Sequence, residues 1–384
     1  MTGERRLLWR SLNRSTGQKT GRQRSLWSRT KTAAAVSGVR SRWRQSKGSD
    51  MDMFPAELVM PVNSGYHEKD KWVWCGSAVE EPGKGFHLYA SRWRKDYPML
   101  EGYVLFSEIV HAFSPTLEGP YHFVEKVLPS FPDPHWDSRM AHNPAIVRRN
   151  GEYLLYYIGS TYSAPPTPPE LIKNDRTMMF EVYDEIRIGL ARSNSPAGPW
   201  KVCPHPVLEA RKDNFDCTIV TNPAPCVLPD GRIYLYYRTN TPGGARIGLA
   251  VYDDPEGPAT RFDQPVLETE FQIEDPFVWH NGSQFEMIAK DLNGKTTGEY
   301  HSGAHFVSDD GIRWECTGKA YSRKVKLASG KEITLGSLER PQLLFDADGK
   351  PAALFAAVAD GPGGFQKAEN TWNQVFPLRQ RVNW

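Results

Sequence analysis

The sequence predicts an all-β fold, a five-bladed β-propeller built from four-stranded antiparallel blades. Three observations predict it. First, a short phrase recurs four times, as His142-Asn143-Pro144, Thr221-Asn222-Pro223, Glu274-Asp275-Pro276 and Glu339-Arg340-Pro341. Second, each copy leads into an apolar run, a turn dipeptide and a second apolar run; the turns are Asn150-Gly151, Asp230-Gly231, Asn281-Gly282 and Asp348-Gly349. Asn-Gly and Asp-Gly between hydrophobic runs signal a hairpin, because the favoured two-residue turn needs positive φ at both central residues. Third, a further mark closes successive units: Ser114-Pro115 with Gly119-Pro120-Tyr121, Ser195-Pro196 with Gly198-Pro199-Trp200, Asp254-Pro255 with Gly257-Pro258, and Asp309-Asp310-Gly311 with Trp314. A spacing of roughly 55 to 80 residues is about one four-stranded blade with its loops.

The units follow in order. Residues 1–50 form a basic leader with 13 Lys and Arg against two acidic residues, and little apolar content beyond Ala33-Ala34-Ala35-Val36. That lacks the apolar core of a secretory signal and has the make-up of a disordered segment. Three readings compete: a basic arm for a polyanion, an Arg-rich targeting peptide, or an over-extended start with Met51 or Met53 the true beginning. The abrupt change just before Met51-Asp52-Met53 favours the last. Residues 51–384 then make a single propeller domain. Its first blade holds Trp72-Val73-Trp74-Cys75-Gly76-Ser77-Ala78 and Phe86-His87-Leu88-Tyr89-Ala90. The second opens at His142, and the third, fourth and fifth open at the remaining copies. Tyr153-Leu154-Leu155-Tyr156-Tyr157 and Ile233-Tyr234-Leu235-Tyr236-Tyr237 read as second strands buried on both faces by neighbouring blades. The stretch from Thr161 to Asp184 interrupts the second blade and is too long for a hairpin. It reads equally as a wall of an axial funnel or as a passive excursion.

Composition narrows the classes. Thirty Pro, 32 Gly and 12% aromatics among 384 residues suit a turn-rich β domain. No run of 18 apolar residues exists, so no membrane span is expected. The leader's charge is offset elsewhere, leaving a net +2 overall and a net acidic remainder. Neither a membrane nor nucleic acid is expected as a partner of the propeller, and the sequence does not specify an oligomeric state. Cys75, Cys203, Cys217, Cys226 and Cys316 are scattered, odd in number and without a CxxC pair. They read as buried or free thiols in a reducing compartment. With no recognisable signal peptide a cytoplasmic protein is expected, export staying open if the true start differs. No Gly-rich loop follows a strand, and Gly361-Pro362-Gly363-Gly364 reads as a turn, so no organic cofactor is expected.

The five-unit pattern, with Asp275-Pro276 opening one blade and Glu339-Arg340-Pro341 the next, resembles the five-bladed propeller glycoside hydrolases. These include the arabinanase/xylosidase family 43, the invertase and levansucrase families, and the neoagaro-oligosaccharide hydrolases. The resemblance covers roughly residues 60–370. It implies a glycosidase that cleaves an oligosaccharide or glycoside in an axial funnel with three carboxylates. One Asp is base or nucleophile, a second Asp tunes pKa, and a Glu is the general acid. The arrangement is physically sensible. Innermost strands converge on one axis, so residues that open them meet although distant in sequence. Cleavage needs a protonated carboxyl beside the leaving oxygen and a second group facing the anomeric carbon. A nearby carboxylate helps the acid keep its proton near neutral pH.

Carried onto this chain, the resemblance gives Asp275 the tuning place and Glu339 the acid place. The third carboxylate strains the match. Two blades before Asp275 stands Asn143, an amide that cannot take a proton from water. Asp137, six residues earlier, is the closest substitute for the base. Asp216 sits at the same offset before Asn222-Pro223, and His142 is a third candidate. His142, Asn143, Asn222, Glu274, Arg340 and Trp136 are the expected substrate contacts, with Trp74, Trp93 and Trp279 as further sugar platforms. The resemblance also admits a structural divalent cation such as calcium on the axis, near His142, His301 or His305, but no ligand spacing is diagnostic and no metal site is assigned. Two alternatives stand beside the hydrolase. One is a phosphorylase or transglycosylase, in which Arg92, Arg94, Arg139, Arg238 and Arg340 would offer a phosphate site. The other is a catalytically silent sugar-binding propeller. Expression from Met51 is expected to leave activity and melting temperature unchanged; a large loss of either would show that the leader is needed.

Overall fold

Each repeated phrase opens the innermost strand of an antiparallel sheet in the computed structural model, which describes residues 54, 57–172, 174–267, 270–361 and 363–378. The leader lies outside the described residues. A short strand β1 (Leu58–Met60) precedes the blades. Blade 1 is β2 (Lys71–Glu81), β3 (Gly85–Arg94), β4 (Glu108–Ser114) and β5 (His122–Leu128). Blade 2 is β6 (Met140–Arg149), β7 (Glu152–Ser160), β8 (Arg187–Ser193) and β9 (Lys201–Val202). Blade 3 is β10 (Thr221–Val227), β11 (Ile233–Thr241), β12 (Gly244–Tyr252) and β13 (Thr260–Arg261). Blade 4 is β14 (Ile273–His280), β15 (Phe285–Asp291), β16 (Gly303–Ser308) and β17 (Glu315–Tyr321). After β18 (Lys324–Leu327), which pairs with β1, and β19 (Glu332–Thr334), which pairs with β18, comes blade 5: β20 (Ser337–Phe345), β21 (Pro351–Ala359) and β22 (Thr371–Pro377). The innermost strands touch in a closed circuit: β2 with β6, β6 with β10, β10 with β14, β14 with β20, and β20 with β2. This is the expected five-bladed propeller.

The blades adhere through apolar faces. Tyr89, Ile146 and Leu155 pack between blades 1 and 2. Leu249, Phe285 and Phe306 pack between blades 3 and 4. Ile288, Leu354 and Phe376 join blade 4 to blade 5, and Val73, Leu88 and Phe355 join blade 5 to blade 1. Burial on both faces is why the second strands are apolar without alternation.

Two details depart from the sequence reading. Blade 5 has three strands in its sheet rather than four. Its outer edge is met by Tyr66, whose backbone pairs antiparallel with Asn373 of β22. The segment ahead of blade 1 thus stands where a fourth strand would, and the ring closes through the two ends of the domain. The hairpin turns also differ. Only Asn150-Gly151 has positive φ at both residues; at the other three turns the glycine alone does. Those loops are longer, so they need one left-handed residue and not two.

The repeated phrase marks a bulge. In every innermost strand one residue has left-handed backbone: Cys75 (φ 48°), Asn143 (55°), Asn222 (53°), Asp275 (57°) and Arg340 (54°). Pairing with the second strand slips there in all five blades. An extra residue in one strand bends it and re-aims a side chain. Blade 1 therefore carries a fifth copy, Trp74-Cys75-Gly76, with Gly where the others have Pro. The cause is local. Asn373 Nδ2 donates to the Cys75 carbonyl at 3.0 Å, and a Cβ on residue 76 would lie 2.2 Å from that nitrogen. Gly76→Ala and Gly76→Pro are thus expected to destabilise the protein by about 1–3 kcal/mol, although the second restores the repeat. An unchanged melting temperature in Gly76→Ala would show that Asn373 does not hold the closure.

Candidate active site

The five bulges turn their left-handed residues into a belt of contacting side chains. Cys75 Sγ donates to Asn143 Oδ1 at 2.8 Å. Asn222 Nδ2 donates to Asp275 Oδ1. Asp275 also accepts the Arg340 backbone N–H at 3.3 Å and Arg340 Nη1 at 3.4 Å. One residue earlier on each strand stand Trp74, His142, Thr221, Glu274 and Glu339. Opposite two of these, the second strands supply cations: Arg238 faces Thr221, and Lys290 faces Glu274.

Carboxylate oxygens of Glu274, Asp275 and Glu339 lie within 4.8 Å of one another. Lys290 Nζ is 3.0 Å from Glu274 and 2.8 Å from Glu339. Arg238 Nε is 3.7 Å from Glu274, and Arg238 Nη2 donates to Asn240 Oδ1 at 2.6 Å. Glu339 and Asp275 are each only 4% exposed, and Lys290 1%. Two like charges at this separation repel by roughly 3–4 kcal/mol at an effective dielectric near 20. The cations therefore decide which carboxyls stay ionised. Burial alone would raise Glu274, but Lys290 and Arg238 together bring it down to about 2. Burial raises Asp275, and ionised Glu274 adds to the rise against the pull of Arg340. Burial also raises Glu339; Lys290 opposes this, while Asp275 and Glu274 reinforce it. Burial works against the Lys290 charge, yet Glu339 and Glu274 hold its pKa above the ordinary value.

The carboxylate trio has the spacing of a cation site, but the residues do not fit a divalent ion such as calcium. The Lys290 ammonium already bridges Glu274 and Glu339, and Arg238 and Arg340 add positive charge. Calcium wants six to eight oxygen ligands free of such competition. His305 is engaged by Glu286 at 3.0 Å and Thr317 at 2.6 Å.

Above the belt, the helix Met99–Phe106 between β3 and β4 packs on the helix Thr177–Asp184 between β7 and β8. Glu101 and Arg176 pair at 2.5 Å, and Tyr162 OH donates to the Leu105 carbonyl at 2.8 Å. Tyr183 reaches the cluster by accepting from Asn240 Nδ2 at 3.4 Å. The second-blade insertion thus packs on the first-blade helix and reaches Asn240 instead of running free over the surface. Under the first helix, His142 is 4% exposed, with Tyr103 over its ring at 4.7 Å. Ser107 Oγ lies 2.8 Å from its Nδ1 and Cys75 Sγ 3.6 Å from its Nε2. Burial, reinforced by Arg340, pushes the imidazole well below its ordinary pKa, so it is neutral. Over blade 4, Asp291 accepts four backbone N–H groups and ties down the loop that carries His301. Burial and the nearby Lys290 lower His301 to about 3, and its ring stacks at 3.7 Å on Tyr300, which is 45% exposed.

Of the residues singled out in the sequence, His142, Asn143, Asn222, Glu274, Asp275, Glu339 and Arg340 are brought together. Asp137 is not. It is 0% exposed, accepts from Tyr157 OH at 2.6 Å, and lies 2.5 Å from His135 Nδ1. Asp216 repeats this one blade on, accepting from Tyr237 OH at 2.6 Å and pairing with Arg211 and Arg261. Each Tyr lies opposite a glycine of the third strand, Gly189 or Gly248, whose Cβ would meet the ring at 2.4 Å. The shared offset of the two aspartates is a repeated fastening of loop to blade. Trp136 stacks on Tyr157 at 6.0 Å in that same fastening. Trp93 and Trp279 are packing residues, at 1% and 8% exposure, and Trp74 abuts Phe365 at 5.9 Å. Arg92, Arg94 and Arg139 pair with Glu68 and Glu108, Asp96, and Asp133, leaving Arg238 and Arg340 at the cluster. Lys290 was missed. Its signal is a lysine ending the otherwise apolar run Met287-Ile288-Ala289.

No protein-family model matches the chain, and no curated protein matches it. Solved structures do. A family 117 glycoside hydrolase of the marine bacterium Zobellia galactanivorans aligns with a TM-score of 0.59 at 17% identity, over 82% of this chain and 87% of that one. The endo-arabinase of Bacteroides thetaiotaomicron gives 0.51 at 12%, over 85% and 99%. The α-L-arabinofuranosidase of Lactobacillus brevis gives 0.52 at 13%, over 83% and 94%. The protein is similar to these in fold: the neighbours are five-bladed propeller glycoside hydrolases.

Asp137→Asn keeps the side-chain shape but weakens two charge-assisted hydrogen bonds. It is expected to lower the melting temperature with little effect on turnover. Lost turnover that azide or formate restores in Asp137→Ala would return Asp137 to the role of base.

Proposed function

We propose that the protein is a glycoside hydrolase that cleaves an oligosaccharide or glycoside at the axial belt, with Glu339 the proton donor. One observation carries the reading. Glu274 faces two cations and Asp275 has Arg340, whereas Glu339 shares its single ammonium with Glu274. The proton that three crowded carboxyls must retain therefore resides best on Glu339. Asp275, held between Asn222 and Arg340, supplies the negative charge that keeps it there. The fold shared with glycoside hydrolases supports the same chemistry.

The reaction needs a second group to accept a proton from water. Of the three candidate bases, His142 alone stands beside the belt, one residue before Asn143, neutral and with Ser107 at its Nδ1. In this reading Glu339 protonates the leaving oxygen while His142 deprotonates the attacking water. Asn143 and Asn222 present amides to sugar hydroxyls.

A second reading is phosphorolysis. The belt has an amide at Asn143 where a carboxylate would serve hydrolysis, and Arg238 and Arg340 both stand at the cluster. Phosphate would then replace water as the nucleophile, held by the guanidinium groups.

Glu339→Gln retains shape but no titrating proton, so turnover is expected to fall roughly 100-fold or more. A leaving group that needs no protonation should be spared. Asp275→Asn removes a charge that raises Glu339, so the upper pH limit of activity should move down. Near-normal turnover in Glu339→Gln would overturn the acid assignment. Turnover that requires inorganic phosphate would select the second reading, and binding without turnover of any glycoside would indicate a silent sugar-binding propeller.

A further inference from the structure

A buried ammonium is expensive unless its partners need it, and Lys290 is among the largest fully buried side chains of the protein. Glu274 accounts for part of it, at 3.0 Å, but Arg238 also faces that carboxylate at 3.7 Å, and the lysine reaches a second carboxyl. Among the described residues Lys290 is the one cation paired with Glu339. The register fixes this geometry. Lys290 is directly opposite Glu274 on the neighbouring strand, one residue before Asp291, whose carboxylate is locked by the loop it anchors. The lysine stem therefore has little freedom, and its Nζ is held between two carboxyls from different blades.

Resting on Glu339 as the proton donor, we propose that Lys290 is a positioning residue for Glu339: it fixes the carboxyl at the blade 4–blade 5 junction and stabilises the carboxylate left when the proton is given up. In that step the Glu339 O–H bond breaks and a new O–H bond forms on the leaving-group oxygen. The bond from the anomeric carbon breaks with its electron pair going to that oxygen. The negative charge appears on Glu339, 2.8 Å from Nζ, and Lys290 keeps all its protons. A preorganised cation aimed at developing charge lowers the barrier to the step that creates the charge. The same ammonium draws down the resting pKa of Glu339, so it trades a narrower pH range for a faster proton transfer.

The groups facing this pair are few. Glu274 and Asp275 come from β14, Arg238 from β11, Arg340 from β20 beside Glu339, Tyr321 from β17, and His301 from the loop after β15. Of these, Arg238 and Arg340 have their own carboxylates. Tyr321 is driven well above its ordinary pKa by burial, and His301 is neutral, so neither supplies the missing cation when Lys290 is removed.

The test uses the full chain with Lys290→Met, Lys290→Gln and Lys290→Arg. The Glu339 carboxyl is titrated by its carbon-13 chemical shift, and kcat/KM is followed against pH on glycosides with good and poor leaving groups. Both neutral variants should raise the Glu339 midpoint by ~1 unit or more and move the upper pH limit with it. Turnover of poor leaving groups should fall about 10- to 100-fold, and good leaving groups should lose less. Lys290→Arg should keep the midpoint and most of the rate. Lys290→Gln, which retains a hydrogen-bond donor, covers the case in which Lys290→Met does not fold. An unmoved or lowered midpoint in the neutral variants overturns the proposal, as does Lys290→Arg behaving like them. If Glu339→Gln stays active, the acid assignment itself falls. If Glu339→Gln is dead and the neutral lysine variants keep their upper pH limit, only the Lys290 proposal falls.

Discussion

The left-handed residue in each innermost strand is the constraint on which the rest depends. A non-glycine residue in this conformation costs ~1–2 kcal/mol, and the chain takes that conformation five times around one axis. Unbulged strands would continue their alternation past the axis and face side chains into neighbouring blades. The bulge instead delivers one residue from every blade to a common belt. The belt is joined across blades 1 and 2 by Cys75 and Asn143, across blades 3 and 4 by Asn222 and Asp275, and across blades 4 and 5 by Asp275 and Arg340. Backbone strain and side-chain bonding are thus one device, with each contact holding two strained positions in place.

Chemistry rests on asymmetry within that symmetry. Five equivalent places precede the bulge, yet only blades 4 and 5 put carboxylates there. Five equivalent places face them from the second strands, and blades 3 and 4 alone fill theirs with cations. The offset of one blade between the two sets leaves Glu274 flanked and Glu339 half-supplied. Identical backbone geometry thereby gives two neighbouring glutamates opposite protonation tendencies.

Much of this was legible in the sequence. The Pro that follows most bulges made the repeat visible, and with it the blade count and the meeting of Glu274, Asp275 and Glu339. Three things were hidden for physical reasons. The fifth copy lacked its Pro because Asn373, some 300 positions away, fills the space. Asp137 was the closest carboxylate to the expected place at Asn143, yet the offset it shares with Asp216 encodes a loop fastening to Tyr157, and sequence distance does not distinguish a buried acceptor from a solvated base. The role of Lys290 was hidden because, although a lysine ending an apolar run stands out, its partners lie across a strand pair and in the next blade. The second-blade insertion was left open between wall and excursion; the Glu101–Arg176 pair and the Tyr162 contact, which pin it to the first-blade helix, join segments far apart in the chain.

The closure between Tyr66 and Asn373 has a consequence for how such a ring varies. Blades made by repetition are interchangeable in principle, and an array of them has no preferred number. Here the closing residue bonds in two directions: its backbone to Tyr66 in the segment ahead of blade 1, and its side chain to the carbonyl of Cys75 on the belt. That contact joins the last blade to the first: without Asn373 the seam would lose the anchor of both bonds, and Gly76 would face the space that the amide fills. The joining of the two ends is therefore written into a single residue, and the ring is free to diversify in its loops but not at its seam.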